Sequence, residues 1–451
     1  MGQLGNFCYP IVLHLFIFNI KNMNSIEWWT MLPFCMMLLC IAILPLCAPH
    51  WWEDNNHKLQ ISLLLSVPTA SYLILIGMGK LLGHQILFEY LPFIILLQAL
   101  YVVTGGIHVS GNLQARPHVT TTFLAVGYVV ASIMGTTGAA MLLIRPLITT
   151  IRERHFKTHT ILFFIAAVAN CGGLLTPLGD PPLFMLYLSG AEFTWFIKLL
   201  PMWLTTGILL LGTYFLVDLF FYRRERQTVI DADEDNVSPI HIHGKVNFLY
   251  LILIVFAVAF INEKHIPTMR NNDVVGLHFM REYALMGVAL LSLLTTKRIV
   301  RKRNNFSWAP INEVTILFFG IFVTMTPALV FLNVHAADLG LTSTSHFYYA
   351  TGALSSVLDN TPTALAFHTV AMGLTDVPPM IAGVPEPILK AIATGAVFFG
   401  AMTYIGNGPN LMVKAIAEEH RIKMPSFFSY IFKFSLVVLL PIYIVVQWLF
   451  F

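Results

Sequence analysis

Asn170-Cys-Gly-Gly-Leu-Leu-Thr-Pro-Leu-Gly-Asp-Pro-Pro-Leu-Phe184 decides the fold. Apolar sequence enters this stretch from His159 and leaves it at Leu188, a length sufficient to cross a bilayer. Its middle nevertheless holds adjacent glycines, three prolines and one carboxylate. Proline removes a backbone donor and clashes with the preceding turn, so a continuous helix is not expected here. Backbone groups freed at that depth find no partners in lipid, and the break is tolerated only where it is buried in protein or lines a cavity.

Working outward, the second half of the chain carries a matching interruption, Gly400-Ala-Met-Thr-Tyr-Ile-Gly-Asn-Gly-Pro-Asn-Leu-Met412. A shift of 227 positions sets Gly179 on Gly406, and with it Gly173 on Gly400, Thr176 on Thr403, Asp180 on Asn407 and Pro182 on Pro409. A second pair of breaks lies upstream of these. Met134-Gly-Thr-Thr-Gly138 interrupts residues 119-148, and Leu358-Asp-Asn-Thr-Pro-Thr363 interrupts residues 346-372. A shift of 224 sets Thr136-Thr-Gly-Ala-Ala140 on Asn360-Thr-Pro-Thr-Ala364. Two near-equal shifts predict an internal repeat, each copy holding a helical hairpin followed by a broken span. Discontinuous helices in corresponding positions of two halves point to a secondary transporter with its site near the midplane.

Composition agrees. Of 451 residues, 57% are hydrophobic and 11% charged, with a mean hydropathy of +0.74, which places the chain among integral membrane proteins. A net charge of +3, carried mostly in loops, gives nucleic acid nothing to bind. The cysteines Cys8, Cys35, Cys40, Cys47 and Cys171 show neither metal nor disulfide spacing.

The expected organisation is an all-α polytopic membrane protein of two inverted repeats. Residues 1-22 form an apolar segment that is signal-like, interfacial or a short extra span. Residues 23-221 are the first repeat, with hairpin 119-148 and broken helix 159-188, and residues 246-451 the second, with hairpin 346-372 and broken helix 388-416. Between them, 222-245 is a polar, charged linker without periodicity, containing Asp231-Ala-Asp-Glu-Asp235. Further spans are expected at Trp29 to Ala48, Ile61 to Gly79, Ile86 to Val109, Phe193 to Phe221, Val246 to Ile261, Tyr283 to Thr295, Val314 to Leu332 and Phe427 to Phe451, with Trp28, Trp29, Trp51 and Trp52 as interfacial anchors.

Arg116, Arg145, Arg152, Arg154 and Lys157 flank the first hairpin, which by the positive-inside rule enters from the cytoplasm. The linker also falls inside. The second hairpin has no flanking Lys or Arg until Lys390, so it enters from the opposite face. Lys264, Arg270 and Arg281 lie on the predicted outside, against the rule.

The breaks supply a chemistry. An ionised carboxylate inside the membrane is expensive and is functional by default. Desolvation favours the protonated form of such a group and a bound cation the ionised form, so Asp180 can exchange H⁺ for Na⁺. The hydroxyls of Thr176, Thr361 and Thr363, the amide oxygens of Asn360, Asn407 and Asn410, and freed carbonyls such as that of Gly179 are suitable oxygen donors, whereas Thr136 and Thr137 of the first hairpin can hydrogen-bond a carboxylate cargo. Asp359 is a second candidate carboxylate. The Na⁺ candidates are thus Asp180, Asp359, Asn360 and Asn407. The bland alternative for Asp180, Asp359 and the tip threonines and asparagines is capping of half-helices. His108 and His368 read as satisfied buried histidines rather than proton relays, Glu313 as an interfacial residue and Arg145 as a cytoplasmic anchor.

Leu175-Thr-Pro-Leu-Gly-Asp180, Leu358-Asp-Asn-Thr-Pro-Thr363 and Ile405-Gly-Asn-Gly-Pro-Asn410 resemble the paired motifs of the ion transporter superfamily. Within it the chain resembles NhaD-type sodium/proton antiporters and the citrate transporter (CitMHS-like) family, often labelled sodium:proton antiporter. The resemblance runs over nearly the whole chain after Met23. It implies two inverted repeats with re-entrant hairpins, a scaffold that often dimerises, hence a homodimer, and an inner (plasma) membrane of bacterial type. NhaD-type relatives usually carry Asp-Asn in the first hairpin and carboxylate transporters Ser-Asn-Thr; Gly135-Thr-Thr-Gly138 makes this tip neutral.

No Lys or Arg stands in the motif tips, where Asp180 and Asp359 favour a cation. Na⁺ (or Li⁺) exchange for H⁺ is therefore the first reading, and Na⁺- or H⁺-coupled citrate or dicarboxylate transport the alternative. The expected partners are a small inorganic cation or carboxylate and membrane lipid, with no cofactor beyond Na⁺ and H⁺. No His-Glu-x-x-His or Gly-x-Ser-x-Gly pattern supports an enzyme. Matched breaks favour alternating access over a channel.

Overall fold

Helix boundaries follow local chemistry. In the computed structural model, which describes residues 26–269, 275–374 and 380–451, Asn55–Leu75 begins earlier than hydropathy alone predicts, because Asp54 caps it by accepting the Asn56 N–H at 2.9 Å. The third span starts at Gly79, passes through a π-helical turn at Gln85–Tyr90, and stops at Thr104 rather than Val109. Gly105 and Gly106 end it there, and His108–Asn112 becomes strand β1. The apolar segment 1-22 and Arg270 lie outside the described residues.

Among the described residues, eight helices are long and apolar enough to cross a membrane: Trp28–Pro45, Asn55–Leu75, Gly79–Thr104, Pro117–Met134, Thr158–Leu175, Phe193–Tyr222, Ala309–Val334 and Phe427–Phe450. The shorter apolar helix Val246–Phe260 accompanies them. Many outward residues are large and apolar, among them Leu64, Leu75, Ile208 and Leu294, as a lipid-facing surface requires. The chain is an all-α, multi-pass integral membrane protein. Trp28, Trp29 and Trp51 are exposed, as anchors should be, whereas Trp52 is buried beneath Lys58. Lys58 in turn binds Glu313 at 2.8 Å.

Pro117–Met134 packs against Thr136–Thr150, and Thr344–Ser355 against Asn360–Met372. Pro117–Met134 is also long enough to span on its own. The first broken span comprises Thr158–Ala167, an irregular stretch with a 3-10 turn at Cys171–Leu175, and Pro181–Leu188. The second comprises Glu386–Phe399 and Gly408–Glu419.

The linker is more ordered than its sequence suggests. It contains the helix Gln227–Asp235 and strand β2, Ser238–His243, which pairs antiparallel with β1, setting His108 opposite His243. The Asp233 carboxylate accepts the Ala115 N–H at 2.8 Å, and Glu234 accepts from Gln114 at 2.6 Å and Arg116 at 2.9 Å. Burial pushes the Asp233 carboxyl above its ordinary range, while the hydrogen bonds from Arg116 and Gln114 hold Glu234 below its own. The linker is thereby tied to the base of the first hairpin.

Candidate functional site

Each break is held open by glycine and closed by hydroxyl bonds, in the same way in both halves. A Cβ on Gly179 would lie 1.9 Å from the Gly173 carbonyl oxygen, and one on Gly406 would lie 2.7 Å from that of Gly400. Only glycine permits these approaches. The Thr176 hydroxyl donates to the Ser132 carbonyl and accepts the Leu178 N–H at 3.1 Å. Thr403 repeats this, donating to the Ser356 carbonyl at 2.5 Å and accepting from Ile405 N at 3.2 Å and Gly406 N at 3.1 Å. Ser132 further donates to the Gly172 carbonyl, and Ser355 to that of Ala396 at 2.7 Å. These bonds satisfy backbone groups that the breaks release.

The first hairpin turns at Gly135, whose φ of +83° a side chain would strain. That turn presents the Thr136 N–H to the Gly179 carbonyl at 2.8 Å. The second hairpin turns at Asp359, which caps Asn360–Met372 by accepting the Thr361 N–H at 2.9 Å.

All four breaks meet at Asp180. Its Oδ1 accepts from Thr136 Oγ1 at 2.7 Å and from Asn407 Nδ2 at 3.3 Å, and its Oδ2 from Asn360 Nδ2 at 2.6 Å. These partners come from the first hairpin, the second broken span and the second hairpin. Asp180 is 1% exposed, and no ion pair includes it among the described residues. It stands at the N-terminus of Pro181–Leu188 without making a side-chain cap. One buried carboxylate surrounded by neutral donors can be neutralised only by a proton or a cation entering the ring. Turning either amide brings an Oδ1 to the carboxylate in place of the Nδ2, completing an oxygen-donor set.

The remaining expected residues take other positions. Thr176 is spent on the Ser132 carbonyl. Thr361 Oγ1 reaches Asn360 Oδ1 at 3.4 Å, and Thr363 donates to the Asp359 carbonyl at 2.9 Å. Asp359 makes its cap and forms no hydrogen bond with Asp180. Asn410 donates to the carbonyls of Gly400 at 2.8 Å and Thr403 at 2.9 Å. Thr137 is exposed on a cavity of about 90 Å³ whose wall includes Leu100, Thr136, Asp180, Phe184 and Met412. His368 is buried, its Nε2 2.8 Å from the Ala382 carbonyl, and His108 Nδ1 lies 2.7 Å from Asn304 Oδ1.

Asn170 was not a predicted ligand, yet it joins the two broken spans. Fully buried, it donates to Asn410 Oδ1 at 2.7 Å and to the Ile165 carbonyl at 2.8 Å, while its Oδ1 accepts from Asn407 at 3.1 Å. A second unpredicted cluster fixes the first hairpin to its neighbours. Asp218 accepts from Thr120 at 2.9 Å and lies 2.7 Å from both Arg154 Nη1 and His159 Nε2.

A multi-pass helical membrane protein whose interrupted helices converge on one buried carboxylate has the build of a membrane transporter rather than an enzyme. Comparison with known families agrees. Residues 23–451 match the model of the family described as "Putative citrate transport", and the chain belongs to that family. The match bears out the citrate side of the resemblance and does not extend to NhaD-type antiporters. No curated protein matches the chain.

Proposed function

We propose that this protein is a secondary active transporter of the inner membrane that exchanges Na⁺ or Li⁺ for H⁺ at Asp180 by alternating access. The observation that carries this reading is the ring of neutral donors, Thr136, Asn360 and Asn407, around a buried carboxylate with no basic partner among the described residues. A proton and a cation compete for that carboxylate, and either one neutralises it for passage through a low-dielectric interior. The two halves act as inverted repeats, with the hairpins entering from opposite faces, so that tilting one set of breaks against the rest opens the ring to each side in turn.

Family membership favours a second reading, in which the cation at Asp180 drives uptake of citrate or a related carboxylate. Half-helix N-termini and the bound cation then offset the negative charge of the cargo.

One experiment separates the two. Proteoliposomes with a dye-reported proton gradient receive Na⁺, Li⁺, K⁺ and citrate in turn, for the wild type and Asp180→Asn. Collapse of the gradient by Na⁺ or Li⁺ alone, absent in the variant, supports exchange. No cation response without citrate, together with Na⁺-dependent entry of labelled citrate, replaces exchange with coupled uptake. Silence in every arm rejects both.

A further inference from the structure

The span Gly79–Thr104 carries a carboxyl that the Asp180 ring does not use. Glu89 is 4% exposed. Its Oε2 accepts from Gln85 Nε2 at 2.6 Å, while its Oε1 has no hydrogen-bond partner among the described residues. Both side chains sit on the π-helical turn Gln85–Tyr90. Such turns are rare in otherwise α-helical segments and concentrate at functional positions.

The helical spacing directs this residue. Phe93, Leu97 and Leu100 follow Glu89 at four, eight and eleven positions and line the cavity that also touches Asp180. Glu89 continues that stripe one turn beyond Phe93. At ~1.5 Å of rise per residue it lies about 16 Å along the helix from Leu100, well inside a span of this length. It is thus a further carboxyl at membrane depth, one turn beyond the cavity lining and separate from the ring.

Packed on the π turn are Gly79–His84, which carries Lys80 and His84, and Ala309–Val334, whose Glu313 is taken by Lys58 at 2.8 Å. Through Phe88 the turn also meets His278 and Phe279, next to Arg281 and Glu282, which bind each other at 2.5 Å. No ion pair includes Glu89 among the described residues. A buried carboxyl with one amide donor and one free oxygen is costly to leave charged at this depth and has an oxygen open to a proton.

We propose that Glu89 is a second proton-binding site of the transport cycle, taking its proton from and returning it to water at the cavity wall, independently of the cation exchange at Asp180. This rests on the transporter reading above.

The test uses the full chain in proteoliposomes, as wild type, Glu89→Gln and Glu89→Asp. Infrared difference spectra between acid and alkaline pH read carboxyl protonation directly, and Na⁺-driven or citrate-driven flux is followed across the same range. The expected result is that Glu89→Gln deletes one protonated-carboxyl band and removes the Glu89 proton from each turnover, while the exchange at Asp180 continues. Its flux profile flattens with pH, and Glu89→Asp restores both. A difference spectrum and pH profile identical to wild type in Glu89→Gln overturn the proposal and leave Glu89 a structural partner of Gln85. If Glu89→Gln does not fold, a displaced carboxyl band in Glu89→Asp supports the site and an unmoved one rejects it. If the wild type moves neither Na⁺ nor citrate, the transporter reading fails while the infrared arm still decides whether Glu89 takes a proton.

Discussion

Asn360 and Asp180, 180 residues apart in the chain, are joined by a 2.6 Å hydrogen bond from the amide of one hairpin tip to the carboxylate of the opposite broken span. Removing that amide leaves a buried carboxylate with two donors instead of three, and losing one hydrogen bond to a charged group costs about 1–3 kcal/mol. Asn360→Ala should therefore weaken the cation response by roughly tenfold or more, with a loss of stability no larger than that cost. An unaltered cation response would show that this amide does not belong to the ion site.

Thr176 and Thr136 are both tip threonines, and they should behave differently. The Thr176 hydroxyl is bonded to the Ser132 carbonyl and the Leu178 N–H, whereas Thr136 points at Asp180. Thr176→Val and its counterpart Thr403→Val should each lower stability by about 1–3 kcal/mol without changing the ion concentration at half-maximal flux. Thr136→Val should shift that concentration, whatever its cost to melting. Melting of the detergent-solubilised protein and flux titrations, run on the same preparations, decide between the two roles.

The sequence contrast between these residues was only partly visible. Glycines and prolines in apolar runs announced all four breaks, because nothing but an interrupted helix accommodates them. Asp180, Asn360 and Asn407 stood out as polar groups at membrane depth, and the structure brings them together. Asn170 did not stand out: under the 227 shift it falls on Val397, so the repeat that reveals the other residues hides this one. Its partner Asn410 is 240 positions away, a pairing that no local pattern encodes. The linker strand Ser238–His243 was missed for the same reason, since its pairing with His108–Asn112 is non-local. Glu89 carried a readable signal, a carboxylate inside an apolar span, and the rule that singled out Asp180 finds it too.

Asn170 and Asn410 are close enough to couple. Because each also satisfies backbone carbonyls in its own break, single alanine substitutions should be costly, and the double substitution should cost less than their sum. A double-mutant cycle on melting should give a coupling of about 0.5–3 kcal/mol, the range for residues sharing one network. Strict additivity would mean that the two broken spans are not held together here.

Glycine tests the breaks most sharply. A methyl on Gly179 would lie 1.9 Å from the Gly173 carbonyl oxygen, which is itself backbone and cannot swing aside. Gly408, at the start of the second half-helix, has nothing within 4 Å of such a methyl. Gly179→Ala should thus fall in the exceptional class beyond about 4 kcal/mol, and Gly408→Ala within about 0.5 kcal/mol of wild type. Monodisperse elution of Gly179→Ala at wild-type yield would contradict the close approach.

The linker should respond to pH through two adjacent carboxyls with opposite signs. Asp233 is raised by burial, so the stability it contributes is present below its unfolded value, about 3.9, and is lost as pH rises through the folded one. Glu234 is lowered by Arg116 and Gln114, so its contribution is present above its unfolded value, about 4.3, and is lost as pH falls through the folded one. Docking of the linker is therefore weakened on both sides of a weakly acidic optimum. Hydrogen exchange of the Ser238–His243 amides, corrected for intrinsic rates and measured between about pH 3 and 5.5 to stay below the ordinary histidine range, should show protection falling in both directions. In Asp233→Asn, whose amide oxygen still accepts the Ala115 N–H, only the acid-side loss should remain. Protection that still declines with rising pH in that variant would remove Asp233 from the account and leave the strand pairing to be governed by other groups.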